Sequence, residues 1–463
     1  MTSTTHSRGE TRSFLSDLSY GLPIVAIAMR GGAESTVAAS YGFLALFALF
    51  GRSQAIYALF LSWLFTMVSE GVAPEGGGGV GRYVVILGVA LSAGARSWIF
   101  SSRARPSSLL IMTILLGVFI VIHSIVYSSM PDVSISKAIS WIVTMMAVIS
   151  LWVGCSPEQR SRIAAVIFGG LTTILVVSLP LIALPLGYLV NGTGFQGVIN
   201  HPQVMGSTAA LVGTWAITRM LGERKPGWGL LAITVMSLAI TLLSEARTAG
   251  LAMVLGVGFA LATLPAFSGR SIASLAPGLF SARFFTIIWL GVIGAIAAAG
   301  AVADLIRNFL SKSGRAGVDG LLSAYDVSRG FLIDMMVINI RHHPFTGIGF
   351  GTPSVPGNVW GIDRDPIFGI PFGAPVEKGV APLAVMEELG LFGAALVLCW
   401  LFVLLRGASR GSLAAFALCV VILTLNLGEN TLFSPGGQGL LALVLLGWAY
   451  ADGNNDAANG RSA

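Results

Sequence analysis

An arginine at position 247 lies in the short segment Ser244-Glu245-Ala246-Arg247-Thr248, with long apolar sequence on both sides. A charge this close to membrane-like sequence is costly unless it is paired or functional. The guanidinium group presents a planar fork of donors that can bind phosphate through two hydrogen bonds. Glu245 could instead pair with it. The segment therefore predicts either an anion-binding arginine or a local salt bridge.

Three polar residues, Asn200, His201 and Gln203, follow a glycine-rich segment and precede another apolar run. They are expected at the N-terminus of the next helix, where free backbone N–H groups and the helix dipole favour an anion. Asn is also common as an ordinary helix cap. We therefore predict substrate-binding residues here, with a plain interfacial cap as the alternative.

A long polar stretch, residues 304–380, is dense in charge but neutral overall, with seven basic and seven acidic residues. Loops of more than about 12–15 residues are usually functional or disordered. Apolar residues recur at helical spacing over residues 326–341, which predicts an amphipathic helix that Pro344 stops. The run Gly347-Ile348-Gly349-Phe350-Gly351 then predicts a tight turn where the backbone approaches another surface.

Three cations of this stretch are candidates for phosphate binding. Arg329 lies near the start of the predicted helix, Arg341 lies at its end, and Lys378 precedes the next apolar run. The alternative is a solvated face on which each base meets one of the acids, and the remaining bases are assigned to it. His342 and His343 are adjacent and do not face each other on a helix, so we predict no metal site.

Several chemistries lack their sequence signatures. The chain has no Walker motif, dinucleotide fingerprint, zinc-protease motif or serine-hydrolase elbow, and we expect no cofactor. Cys155, Cys399 and Cys419 have neither metal nor disulfide spacing. Ionisable residues are almost absent from the apolar runs apart from His123, which argues against a proton-coupled transporter.

The composition predicts the kind of fold that positions these residues. Hydrophobic residues make up 55% of the chain and charged residues only 10%, whereas soluble domains carry about 25% charged residues. A membrane helix needs roughly 20 mostly apolar residues. Twelve spans are predicted near 53–69, 83–95, 107–128, 138–155, 163–189, 203–220, 227–243, 248–266, 284–303, 381–405, 412–427 and 437–451. Residues 18–50 hold either one span or two short helices broken at Arg30-Gly31-Gly32.

The distribution of basic residues predicts the orientation. One set of alternate short loops holds thirteen basic residues, from Arg52 to Arg410, and the opposite set holds only Arg82, Lys137 and Arg247. Because cytoplasmic loops carry the excess of Lys and Arg, the first set is placed in the cytoplasm. The net charge of +6 is attributed to these loops and not to nucleic-acid binding.

We therefore predict an all-α polytopic transmembrane bundle of about 12–14 spans with one large, partly helical external loop. The predicted divisions are a transmembrane bundle over 1–303, the external loop over 304–380, transmembrane helices over 381–451 and a cytoplasmic tail over 452–463.

The order of these motifs resembles the O-antigen ligase and O-antigen polymerase family of bacterial envelope glycosyltransferases. The matching features are Gly-Phe-x-Gly-x-x-Asn-x-Pro at 194–202, Ser-x-x-Arg-Thr at 244–248, and a large external loop. That loop contains Ser-Arg-Gly and then Pro-Phe-Thr-Gly-Ile-Gly-Phe-Gly at 344–351, and Glu-Glu-Leu-Gly-Leu-Phe-Gly follows at 387–393. The detailed match covers about residues 190–440, and the N-terminal half matches only in hydropathy.

The resemblance implies a metal-independent, inverting glycosyl transfer at the periplasmic face of the bacterial inner membrane. The donor would be a glycan on undecaprenyl diphosphate. Arg247 and Arg329 match the arginines that hold the donor diphosphate, and Lys378 and Arg341 would add further contacts. Fixed guanidinium groups would stabilise the charge that develops on a leaving diphosphate.

The general base differs from the family pattern. The ligases carry a His near the end of the loop, where this chain reads Val376-Glu377-Lys378-Gly379. A base must remove the proton of the acceptor hydroxyl. Glu377 is therefore the candidate base, and Glu429 is its rival because the predicted topology also places it outside.

Four functions are candidates for this chain. The favoured one is a polysaccharide polymerase that transfers a lipid-linked chain to a lipid-linked repeat unit. The next is a ligase with the same donor and lipid A–core as acceptor. A flippase or exporter of lipid-linked sugar would need a polar path through the membrane, and a membrane scaffold would leave Arg247 and Arg329 without a ligand. The expected partners are the lipid-linked glycan, its glycan acceptor, the bilayer and a chain-length regulator protein.

Overall fold

The protein is described by a computed structural model that covers residues 19–74, 78–99, 106–300, 330–355, 364, 371 and 378–454. These residues form sixteen α-helices. In chain order they are α1 (Gly21–Gly32), α2 (Glu34–Ala48), α3 (Arg52–Met67), α4 (Gly78–Gly94), α5 (Ser108–Tyr127), α6 (Pro131–Val153), α7 (Pro157–Ser178), α8 (Pro202–Gly222), α9 (Trp228–Leu243), α10 (Arg247–Ser268), α11 (Ile272–Leu275), α12 (Ala282–Ala297), α13 (Phe331–His342), α14 (Ala381–Ala408), α15 (Leu413–Leu425) and α16 (Gln438–Asp452).

Six helical segments in the described part of the chain are long and apolar enough to cross a membrane. They are α5, α6, α10 and α14, together with α4 and α7 and their continuations. Five more apolar helices of 10–17 residues accompany them, among them α9, α15 and α16. The predicted all-α polytopic membrane bundle is therefore confirmed.

The helix ends follow local sequence signals. Ser156 caps α7 in a capping box with Gln159, because each side chain accepts a hydrogen bond from the other residue's backbone N–H group. The sequence predicted that this span would continue to residue 189. The α-helix instead ends at Ser178 and continues as short 3-10 turns, since Pro180 and Pro185 lack the backbone N–H that an α-helix needs.

The ambiguous region 18–50 contains two helices. Residue Ala33 has an extended backbone between α1 and α2, so the alternative with a break next to Arg30-Gly31-Gly32 is confirmed. The Arg30 side chain is buried, and its guanidinium donates to the Phe65 carbonyl at 3.1 Å and the Pro74 carbonyl at 2.8 Å. These bonds satisfy a charge that would otherwise be costly at this depth.

The centre of the bundle is formed by helices that are apolar on all sides. Nearly every residue of α15 and α16 is buried, which is typical of core helices. Helices approach closely where a glycine lies between them: a Cβ added at Gly256 of α10 would lie 2.6 Å from Val421 of α15. Helices α5 and α12 instead expose large apolar side chains such as Ile122 and Trp289, as lipid-facing helices do.

The two ends of the bundle differ in charge. The end where α7 begins and α16 finishes holds the described members of the arginine-rich loop set, and we call it the basic end. The opposite end, called the site end, holds the starts of α4, α8, α10 and α14 and carries Arg82, Lys137 and Arg247. The partition predicted from the basic residues is thus reproduced in space. That the basic end faces the cytoplasm stays a prediction.

Candidate functional site

The α9–α10 turn (Ser244–Ala246) positions Arg247 as the first residue of α10. The turn packs against the start of α8, because a Cβ added at Gly206 would lie 2.3 Å from the Ala246 Cβ. The segment before α8 is also tied to the turn, since the Phe195 N–H donates to the Leu243 carbonyl at 2.9 Å. Arg247 is partly buried and has an interaction partner.

A second loop, the α15–α16 loop (residues 426–437), meets this turn. A Cβ added at Gly428 would lie 2.2 Å from the Thr248 Oγ1, so only glycine allows so close an approach. Glu429 and Arg247 are the chain neighbours of Gly428 and Thr248, so the segments that carry them meet at this contact. The Asn426 side-chain oxygen accepts hydrogen bonds from the Thr431 and Leu432 N–H groups, both at 2.9 Å, which holds the loop in shape.

The far side of the α15–α16 loop lies against Arg82 of α4. A Cβ at Gly436 would lie 2.3 Å from the Arg82 Nη1. The Arg82 guanidinium also lies over the Tyr83 ring, 4.9 Å from its centroid, and is partly buried. One loop therefore contacts the segments that carry two arginines, Arg82 and Arg247. From the sequence, Arg82 indicates only the orientation of the chain, because its approach to residue 436 depends on the tertiary fold.

The predicted substrate-binding residues lie at the start of α8. His201 caps this helix, since its Nδ1 accepts from the Gln203 N–H at 3.1 Å, so the alternative of a helix cap holds for His201. The Asn200 N–H donates to the Met67 carbonyl at 2.8 Å. The Asn200 Oδ1 is buried and has no hydrogen-bond donor among the described residues. Buried side-chain acceptors without a donor are uncommon in folded proteins, so this oxygen is a candidate acceptor for a ligand's hydroxyl group.

The segment 344–351, called the glycine segment, packs against the start of α14. The Ile348 N–H donates to the Glu387 carbonyl at 2.9 Å, and the Gly349 N–H donates to the Glu388 carbonyl at 3.0 Å. Gly390 has a φ of +63°, and a Cβ there would lie 2.2 Å from the Phe345 carbonyl oxygen. The predicted tight turn that approaches another surface is therefore confirmed, and that surface is α14.

A buried ionic cluster lies beneath the glycine segment. The Lys378 Nζ lies 2.6 Å from the Glu387 Oε2 and 3.2 Å from the Glu388 Oε1, and the lysine side chain is only 1% exposed. The Glu387 carboxylate also accepts from Asn339 of α13 at 2.7 Å and from the Ser354 hydroxyl at 2.9 Å. Three side chains from the stretch 304–380, those of Asn339, Ser354 and Lys378, thus converge on one carboxylate of α14.

This cluster corrects the predicted role of Lys378. Its ammonium neutralises two carboxylates at the start of an apolar helix, so it is occupied inside the protein and is not a phosphate contact. Sequence reasoning noted Glu387 and Glu388 only as part of a motif. Two adjacent acids near the start of an apolar span are themselves a sequence signal of a buried ionic cluster, because such acids need a buried counter-charge.

Aromatic contacts join the glycine segment to the α15–α16 loop. The Phe350 and Phe433 rings lie 6.0 Å apart, and the Lys137 ammonium lies 4.8 Å from the Phe350 ring centroid. The Trp141 indole N–H donates to the Leu432 carbonyl at 3.1 Å. The motif segments, which are far apart in the sequence, therefore meet at one end of the bundle.

The other predicted residues fall into two groups. Arg341 lies exposed at the end of α13, which runs to His342 and so agrees with the predicted stop before Pro344. Arg329 and Glu377 lie outside the described residues. Of the predicted diphosphate and base residues, Arg247 and Glu429 lie on segments that contact each other through Thr248 and Gly428.

A cavity of about 430 Å³ opens at the other end of the bundle, the basic end. Its walls come from α7, α8, α15 and α16 and include Trp215, Arg219, Arg270 and Asp452. None of the residues predicted for the site lines this cavity, so it does not belong to the site end.

No protein-family model matches this chain, and no curated protein is detectably similar to it in sequence. The chemistry of the site end therefore follows from the geometry. Partly buried arginines can bind an anionic group, and neighbouring carboxylates can accept a proton. The buried Asn200 oxygen can accept a hydrogen bond from a hydroxyl group.

Proposed function

We propose that the protein is a polysaccharide polymerase of the bacterial inner membrane. It transfers a growing glycan from undecaprenyl diphosphate to a lipid-linked repeat unit at the periplasmic face, without a metal. The observation that supports this proposal is the close contact of Gly428 with Thr248, which joins the segments that carry Glu429 and Arg247 at the end of the bundle opposite the basic end. Fixed cations beside carboxylates at a membrane surface suit a lipid diphosphate and a hydroxyl acceptor.

The proposed division of labour follows the charges. Arg247 binds the donor diphosphate and stabilises the negative charge that it gains as the glycosidic bond breaks. Arg82 and Arg341 are further cations at this end and would contact the diphosphate or a charged sugar. The polyprenyl chain lies in the lipid beside the bundle, so the reacting bond is held at the membrane surface.

The test uses a chromosomal deletion strain that carries wild type, Arg247→Ala, Arg329→Ala or Arg219→Ala. Surface polysaccharide is separated by gel electrophoresis. Arg219 is the matched control, because it lies at the basic end in an exposed pair with Glu223. We expect the deletion to abolish long chains while single repeat units still form, and only wild type and Arg219→Ala to restore them.

Other outcomes assign other functions. Full-length chains that accumulate on undecaprenyl diphosphate and never reach lipid A would identify the ligase. Repeat units trapped on the cytoplasmic leaflet would identify a flippase. Normal polysaccharide in the deletion strain would contradict all three functions.

A further inference from the structure

Carboxylates at the site end differ in what surrounds them. Glu34, Glu70 and Asp334 are exposed to solvent. Asp132 pairs with Arg364 at 2.8 Å, and Glu387 and Glu388 share the buried Lys378. Glu429 is partly buried and already has an interaction partner. None of these groups combines partial burial with an enclosed oxygen that lacks both a hydrogen-bond donor and an ion-pair partner.

Glu245 does combine these properties. It is partly buried in the α9–α10 turn, and its Oε2 is enclosed without a hydrogen-bond donor among the described residues, Arg247 included. A salt bridge between Glu245 and Arg247, which the sequence allowed as an alternative, therefore does not involve this oxygen. Within the described part of the chain, Glu245 is also the one residue other than glycine with a positive φ, +54°. Strained backbone of this kind occurs preferentially at functional sites.

The position of Glu245 suits a reaction at the diphosphate. It precedes Arg247 by two residues, and its neighbours Ser244 and Ala246 contact Gly206 in the first turns of α8. Asn200, whose Oδ1 also lacks a donor, lies just before that helix. Two buried acceptors without donors therefore lie on segments that pack together, next to an arginine. A sugar supplies several hydroxyl donors to such acceptors.

We infer that Glu245 is the general base of the glycosyl transfer and that Asn200 binds a hydroxyl of the acceptor sugar. This inference rests on the proposed function. The Glu245 carboxylate takes the proton of the acceptor hydroxyl, and the acceptor oxygen forms a bond to the anomeric carbon of the donor. The bond from that carbon to the diphosphate oxygen breaks, and its electron pair leaves with undecaprenyl diphosphate. The Glu245 proton then passes to solvent.

The experiment compares Glu245→Gln with Glu245→Asp, Glu429→Gln and Glu223→Gln. Each purified variant is reconstituted in lipid nanodiscs and assayed with lipid-linked repeat units extracted from the deletion strain. Binding of undecaprenyl diphosphate is measured separately. Glu223 is the control, because it lies at the basic end and is 42% exposed.

We expect Glu245→Gln to lower chain extension by at least about 100-fold, the usual loss on removal of a general base, while binding of undecaprenyl diphosphate stays within about twofold. Glu245→Asp keeps a carboxylate and should retain part of the activity.

Three results would overturn this role. Chain extension by Glu245→Gln within twofold of wild type would exclude Glu245 as the base. Loss of undecaprenyl diphosphate binding together with activity would indicate a structural role. Loss of extension in Glu429→Gln alone would assign the base to Glu429. If wild type itself extends no chains, the proposed function fails, and the role of Glu245 falls with it.

Discussion

The buried ionic cluster gives the sharpest prediction about stability. Replacing Lys378 with Met keeps a long, flexible side chain but removes the ammonium between Glu387 and Glu388. Both carboxylates are almost fully enclosed, with side chains 0% and 5% exposed, so water cannot replace the lost charge. We expect Lys378→Met to be strongly destabilising.

The magnitude follows from the distances. At an effective dielectric constant of about 20, the attraction across the 2.6 Å from Lys378 to Glu387 is roughly 6 kcal/mol, and across the 3.2 Å to Glu388 it is roughly 5 kcal/mol. Desolvation of the ions offsets most of this sum. Removal of one partner from a buried pair typically costs about 3–5 kcal/mol, and that is the loss we predict for Lys378→Met.

The assay is equilibrium unfolding in mixed detergent micelles with SDS, followed by the fluorescence of the 10 tryptophans. The double variant Lys378→Met with Glu387→Gln should recover part of the loss, because it buries one fewer unpaired charge. Arg219→Ala is the control, since its exposed pair with Glu223 at 3.8 Å should contribute less than about 1 kcal/mol. A loss for Lys378→Met no larger than this control would refute the reasoning.

Three further predictions concern the loops and the orientation. Gly390→Ala should destabilise the protein by about 1–3 kcal/mol, because Gly390 has a φ of +63° and an added Cβ would collide with Phe345. The variant should also expose the glycine segment to protease, and a variant that resists cleavage there would contradict the prediction. Gly428→Val should lower chain extension about tenfold or more, because the added side chain would displace Thr248. Gly258→Val, where an added Cβ meets open space, should leave chain extension unchanged. Equal activities of the two variants would contradict the proposed site. The third prediction uses a chain without its three native cysteines and a membrane-impermeant maleimide on spheroplasts. Leu427→Cys, at a position 54% exposed, should react with the maleimide, and Arg224→Cys should not. The reverse pattern would invert the predicted orientation.

The bundle could be predicted from the sequence because its signals are local. Apolar runs long enough to span lipid and the uneven distribution of bases require no knowledge of the tertiary fold. Helix boundaries were less accurate where other local effects compete. Helix α6 begins at Pro131, seven residues before the predicted 138, since Asp132 and Lys137 are tolerated in its polar first turns at the end of the bundle.

The site could be predicted only in part, because its geometry depends on contacts distant in sequence. The motif around Arg247 and the candidate Glu429 came from residue chemistry and resemblance, and in the structure the segments that carry them meet where Gly428 contacts Thr248. The burial of Lys378 depends on how the segment before α14 folds back onto the first turns of that helix, where its partners lie nine and ten residues further on. The enclosed Glu245 oxygen without a hydrogen-bond donor likewise depends on how its turn packs.

The most direct test of the central claim is a reconstituted reaction. Purified wild type in nanodiscs receives lipid-linked repeat units, and chain length and released undecaprenyl diphosphate are measured together. We predict one undecaprenyl diphosphate released for each new glycosidic bond, without added metal, and a loss of at least about 100-fold for Arg247→Ala. If folded wild type neither extends chains nor releases undecaprenyl diphosphate, or if Arg247→Ala is as active as wild type, the account is contradicted.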